Sequence, residues 1–76
     1  MIIESIVLIE GKNVKKEALK ISLSNAKQIV IGSTPGFGVI LHVAANSSAD
    51  LGKALLEFSK VPDVTGVLTL ALRSPH

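Results

Sequence analysis

Few residues in this chain could do covalent chemistry. There are no cysteines and two histidines, His42 and His76. That removes a disulfide framework, a thiolate metal site and a cysteine nucleophile. His42 sits inside the apolar run Leu41-His42-Val43-Ala44-Ala45, and His76 closes the chain. A histidine acting as general base needs a carboxylate to orient it and a nucleophile within reach. No Ser-His-Asp or Cys-His spacing offers that set, so no catalytic residue is assigned and the protein reads as a non-enzyme. A lone histidine among aliphatic neighbours is expected to be packed and hydrogen-bonded. Two histidines far apart in the chain make no metal site. The glycine-rich stretch Gly32-Ser33-Thr34-Pro35-Gly36-Phe37-Gly38 lacks the helix that must stand behind a phosphate-binding loop. No cofactor is called.

The elements that position these residues follow from periodicity. Residues 2–10 are rich in β-branched side chains, end at Gly11 and read as a strand. Asn13 is a natural N-cap, and the spacing Val14, Ala18, Ile21 predicts a helix to about Asn25. Residues 27–33 form a second strand. Thr34-Pro35-Gly36-Phe37 suits a type II turn, with proline setting φ and glycine supplying positive φ. The turn leads into a third strand over residues 38–45, paired antiparallel with the second and placed centrally. Ser47 or Ser48 caps a second helix, and Asp50 in its first turn complements the helix dipole. Leu51, Ala54, Leu55 and Phe58 form its apolar stripe. Pro62 ends that helix, and residues 66–72 form the last strand.

The order is β-α-β-β-α-β. Right-handed crossovers favour a ferredoxin-like α+β fold: a four-stranded antiparallel sheet with two helices on one face. Seventy-six residues make one domain, residues 1–76, in which only about 60% of the unfolded surface is buried. The apolar share is 47% and the net charge +2. Lys12, Lys15, Lys16, Lys20 and Lys27 cluster around one acid, Glu17, and read as a solvated helix face. No stretch has the length and composition of a membrane span. The opening residues carry Glu4 and Glu10, with no basic start and no cleavage site. A cytoplasmic domain without membrane insertion is the expectation.

Two helices cover one side of such a sheet, so the other side should be polar if the domain stands alone. Here it is not. With Val39, Leu41 and Val43 turned to the helices, Ile40, His42 and Ala44 face outward. Glu4, Ile6 and Leu8 join them from strand one, Gln28 and Val30 from strand two, and Val67, Thr69, Ala71 and Arg73 from strand four. Contiguous aliphatics on an open sheet mark an interaction surface. A peptide or a second copy is the expected partner.

Gly36-Phe37-Gly38 resembles the core of the RNA-recognition motif, which shares this topology. That motif stacks bases on aromatics of its two central strands. Strand one has none, Val39 fills the next stacking position, and Pro35 replaces a basic residue. Nucleic acid is therefore not called as a partner. Acylphosphatase-like activity would need an arginine in the first strand-to-helix loop, where Gly11-Lys12-Asn13 stands.

A broader resemblance spans most of the chain. Glu4-Ser5-Ile6-Val7-Leu8, Gly38-Val39-Ile40-Leu41 and Gly66-Val67-Leu68 are similar to the first, third and last strands of NapD-type chaperones, which serve the maturation of periplasmic nitrate reductase. The resemblance implies a ferredoxin-like cytoplasmic protein that binds the twin-arginine signal peptide of an exported molybdenum oxidoreductase on its sheet. Carried over by position, it implies Glu4, Ile6, Leu8, Ile40, His42, Thr69 and Ala71 as the binding surface, with Glu4, Glu10 and Asp63 as the acids facing the arginines. The tail Arg73-Ser74-Pro75 departs from that family's pattern. The chain also resembles stand-alone ligand-binding modules of Lrp/AsnC-type regulators and, more distantly, ACT-type modules. These resemblances imply a dimer that senses an amino acid or other small molecule.

Overall fold

The computed structural model describes residues 2–23, 25–34 and 36–73. Strands β1 (Ile3–Glu10), β2 (Ala26–Thr34), β3 (Gly38–Ala45) and β4 (Gly66–Arg73) form one sheet in the order β2-β3-β1-β4. Every neighbouring pair is antiparallel. One α-helix, α1 (Ser48–Ser59), and one 3₁₀ turn, Lys16–Leu19, complete the described elements. This is an α+β architecture with a single helix where two were expected. Among the described residues, no helix is long and apolar enough to cross a membrane.

Helix α1 forms where its local signals agree. The Ser47 hydroxyl accepts the Asp50 backbone N–H at 3.1 Å and donates to the Asp50 carboxylate at 2.9 Å. That closes the first turn and places a negative charge at the positive end of the helix. Leu51, Ala54 and Phe58 are buried, and Leu55 packs partly against the same cluster. They meet Ile3, Val7 and Ile9 of β1 and Val39, Leu41, Val43 and Ala45 of β3. The core therefore lies between the two central strands and one helix.

The first crossover takes a different form. Only Lys16–Leu19 is helical, and no side chain caps it. Leu19, not Ala18, reaches the core; Ala18 is exposed. Gln28 on β2 donates through Nε2 to the carbonyls of Leu19 at 3.1 Å and Ile21 at 2.6 Å. In an α-helix those carbonyls would accept N–H groups one turn further on. Here a side chain of the sheet takes them, and Val14 and Ile21, both β-branched, add little local preference for helix. Ser24 lies outside the described residues.

The turns are tight where predicted. Phe37 N–H donates to the Thr34 carbonyl at 3.0 Å, and Gly36 has φ 77°, the positive value that the third position of a type II turn demands. Pro35, and the tail from Ser74 to His76, lie outside the described residues. Asn25 (φ 59°) and Asp63 (φ 72°) occupy left-handed positions before β2 and β4, which their short polar side chains tolerate. At Gly11 any Cβ would collide with the Asp63 carbonyl. Glycine thus lets the β1 exit pass against the loop that leads into β4.

Candidate functional site

Residues directly opposite each other on antiparallel strands project to the same face. The strand registers therefore sort the bare side of the sheet into rows. One central row is Ile29, His42, Ile6, Ala71, and the next is Gly32, Ile40, Leu8, Leu68. A charged row lies at one end, with Lys27, Ala44 and Glu4, joined by Arg73 through backbone register. At the other end come Thr34, Gly38, Glu10 and Gly66. Two apolar rows are thus framed by ionisable residues, and no described element packs over them.

Exposure grades outward along these rows. Leu8 at the centre is 9% exposed although it lies on the bare side, because its neighbours Ile40 and Leu68 flank it. Ile6, Ile40, His42 and Ala44 are half-buried. On the edge strands, Leu68 is 48% and Ile29 66% exposed. A depression of about 210 Å³ opens on this side, lined by Glu4, Ser5, Ile6, His42 and Ala71. It brings together four of the residues singled out from the sequence, with Leu8 and Ile40 in the adjoining row.

Thr69 does not belong with them. It stands opposite Val7, whose side chain is buried under the helix, so Thr69 lies on the covered side. Val67, opposite Ile9, does the same and packs against the core. The cause is a bulge: the register of β1 with β4 shifts between Ile6 and Val7, leaving Leu70 as the extra residue. One extra residue inverts the inside-outside alternation of everything beyond it. Ala71 consequently falls on the bare side while Val67 and Thr69 do not, and the side chain of Arg73 lies outside the described residues.

Strand β2 is also out of phase with the sequence reading. Gln28 and Val30 stand opposite Val43 and Leu41 and face the covered side, while Lys27 and Ile29 face the bare one. A second register shift, between Val30 and Gly32, isolates Ile31. Ser5 is the residue that sequence reasoning missed. It is 2% exposed, and its hydroxyl donates to the Ala71 carbonyl at 3.1 Å. It supplies a partner to a backbone group next to the bulge. The available signal was a single polar residue in the apolar series Ile3, Ser5, Val7, Ile9.

The His42 side chain makes no hydrogen bond to a described residue. The packed, hydrogen-bonded histidine read from the sequence is instead a half-exposed side chain between Ile29 and Ile6. Among the described residues no group of three or more His, Asp and Glu could hold a metal ion. The one ion pair among them, Lys60 with Glu57 at 3.6 Å, lies on α1, away from this surface. Among the described side chains, Glu4, Glu10 and Lys27 take part in no ion pair. What the arrangement can do chemically is bury apolar surface and orient it by charge.

No family model, curated protein or solved structure matches the chain.

Proposed function

We propose that this protein is a non-enzymatic, cytoplasmic binding module that receives a signal-peptide-like segment on the bare side of its sheet. The observation that carries the reading is the pair of apolar rows through Ile6 and Leu8, with Glu4 and Glu10 at the two ends of the same strand. Six residue steps of strand separate those carboxylates, a span of about 20 Å. A helix of about 13 residues covers that distance. A basic leader followed by an apolar run would set its cations near a carboxylate and its aliphatic side chains on the rows. Each aliphatic side chain fully buried there contributes about 1.5–3 kcal/mol.

This is the chemistry of a twin-arginine signal peptide, and the similarity to NapD-type chaperones supports the same partner, the leader of an exported oxidoreductase. We read the fold as ferredoxin-like with its first helix reduced to a 3₁₀ turn. The strand order, with crossovers after β1 and β3, supports that reading. A synthetic twin-arginine signal peptide should shift the amide resonances of Ile6, Leu8, Ile40, His42 and Ala71. Ile40→Asp should abolish the response in a protein that remains folded. Unchanged resonances on these rows at saturating peptide would overturn the reading.

One observation favours a second copy as partner. The apolar rows run across all four strands, out to Ile29 and Leu68, wider than one helix needs. In that case the protein is a dimeric small-molecule sensor closed face to face. It would sediment as a dimer at micromolar concentration, and Ile40→Asp would release monomer.

A further inference from the structure

A second surface borders the bare face, shares Lys27 and Ile29 with it, and rests on a different observation. An open groove of about 930 Å³ lies between β2 and the first crossover. Its lining includes every residue from 26 to 33 on one wall, and Lys16 with residues 19–23 on the other. Successive side chains of a strand point to opposite faces. A groove that touches eight in a row must therefore run along the edge of the strand. β2 is an outer strand of the sheet, so among the described residues its far side has no strand partner. The crossover wall is held beside it by Gln28, which bonds Leu19 and Ile21.

We propose that this groove accepts an extended, acidic segment of another polypeptide, added to β2 as a fifth strand. Strand addition draws affinity from main-chain hydrogen bonds along a free edge and selectivity from the side chains beside it. The unbulged stretch, residues 26–30, supplies the ladder; the register shift before Gly32 ends it. Ile29, 66% exposed, and Ile31, 57% exposed, are the apolar contacts. The charge is one-sided. Lys16, Lys20 and Lys27 line the groove, and among the described residues none is in an ion pair. Glu17, the one acid in the crossover, is not part of the lining.

That charge selects the occupant. Pairing β2 with β2 of a second copy would bring Lys16, Lys20 and Lys27 of both copies to one seam that no acid lines, and crowding like charges along a strand pair is destabilising. A nucleic acid strand would satisfy the charge but needs aromatic platforms for its bases. None lines the groove. An extended peptide with acids at alternate positions satisfies both the edge and the lysines.

The test uses the full chain and a short synthetic peptide alternating valine with glutamate. Hydrogen exchange should slow at outward amides within residues 26–30, while Ile6 and Ile40 stay unaffected. The same peptide N-methylated at alternate residues cannot form the ladder and should bind about tenfold more weakly. Charge reversal in Lys16→Glu/Lys20→Glu/Lys27→Glu should switch preference to a valine-lysine peptide. All three side chains are exposed, and unchanged exchange in the core checks that the variant is folded. Equal binding of the acidic and basic peptides to the wild type would overturn the proposal. So would protection confined to the bare face, dimerisation through β2, or a single-stranded oligouridine protecting the same amides more strongly than the peptide.

Discussion

The two faces of this sheet are built from the same kinds of residue and meet different fates. On β1, Ile3, Ser5, Val7 and Ile9 turn to the covered side, and Glu4, Ile6, Leu8 and Glu10 to the bare one. On β3, Leu41 is fully buried while its neighbour Ile40 is not. The hydrophobicity of the side chains scarcely differs between the two sets at mid-strand. What differs is the layer above. Leu51, Ala54, Phe58 and Leu19 close one side, and no described element closes the other. Leu8 apart, the apolar strand residues become core where another layer removes them from water.

Substitutions on the two faces should separate stability from binding. The largest effect belongs to Phe58→Ala, which opens a cavity at the centre of the covered side. It should cost about 3–5 kcal/mol in denaturant unfolding. Leu41→Ala should cost about 2–5 kcal/mol, whereas Ile40→Ala, one residue away, should cost less, about 1–2 kcal/mol, because part of that side chain is already in water. Equal losses for the two would erase the distinction between the faces.

Smaller effects sharpen the same contrast. Ser47→Ala removes the cap of α1 and should lower stability by about 1 kcal/mol without changing the bare face. Ser5→Ala should cost a similar amount, about 1 kcal/mol. It differs in a second readout: the amides next to Ala71 should exchange faster, because the bulge loses its anchor. Gly52 lies inside α1 with nothing within 4 Å of where a Cβ would stand. Gly52→Ala should therefore stabilise the fold by about 0.5–1 kcal/mol, seen as a raised Tm.

The elements most legible in the sequence carry several local signals that agree. β3 begins and ends at the residues expected, because a tight turn leads in and a helix cap follows. For α1, the cap, the acid in the first turn and the stripe through Phe58 all point to one answer. The first crossover had one apparent cap and a narrow stripe, and nothing local opposed the pull of Gln28 on two of its carbonyls. Of the candidate surface, Glu4, Ile6, Leu8, Ile40 and His42 lie together because β1 and β3 pair without a shift, and Ala71 joins them opposite Ile6 just before the β4 register slips. Thr69 was misplaced because the shift at Leu70 depends on a neighbour far along the chain.

By itself the sequence determined where most strands lie, where the chain turns, and that one helix has a defined start and a buried stripe. Those are properties of residues within a few positions of one another, governed by capping, turn geometry and periodicity. Tertiary structure alone decided which side of each edge strand faces the helix, and whether the first crossover would wind at all. Bulges and borrowed hydrogen bonds are settled between residues distant in sequence, so pattern within a single strand cannot anticipate them.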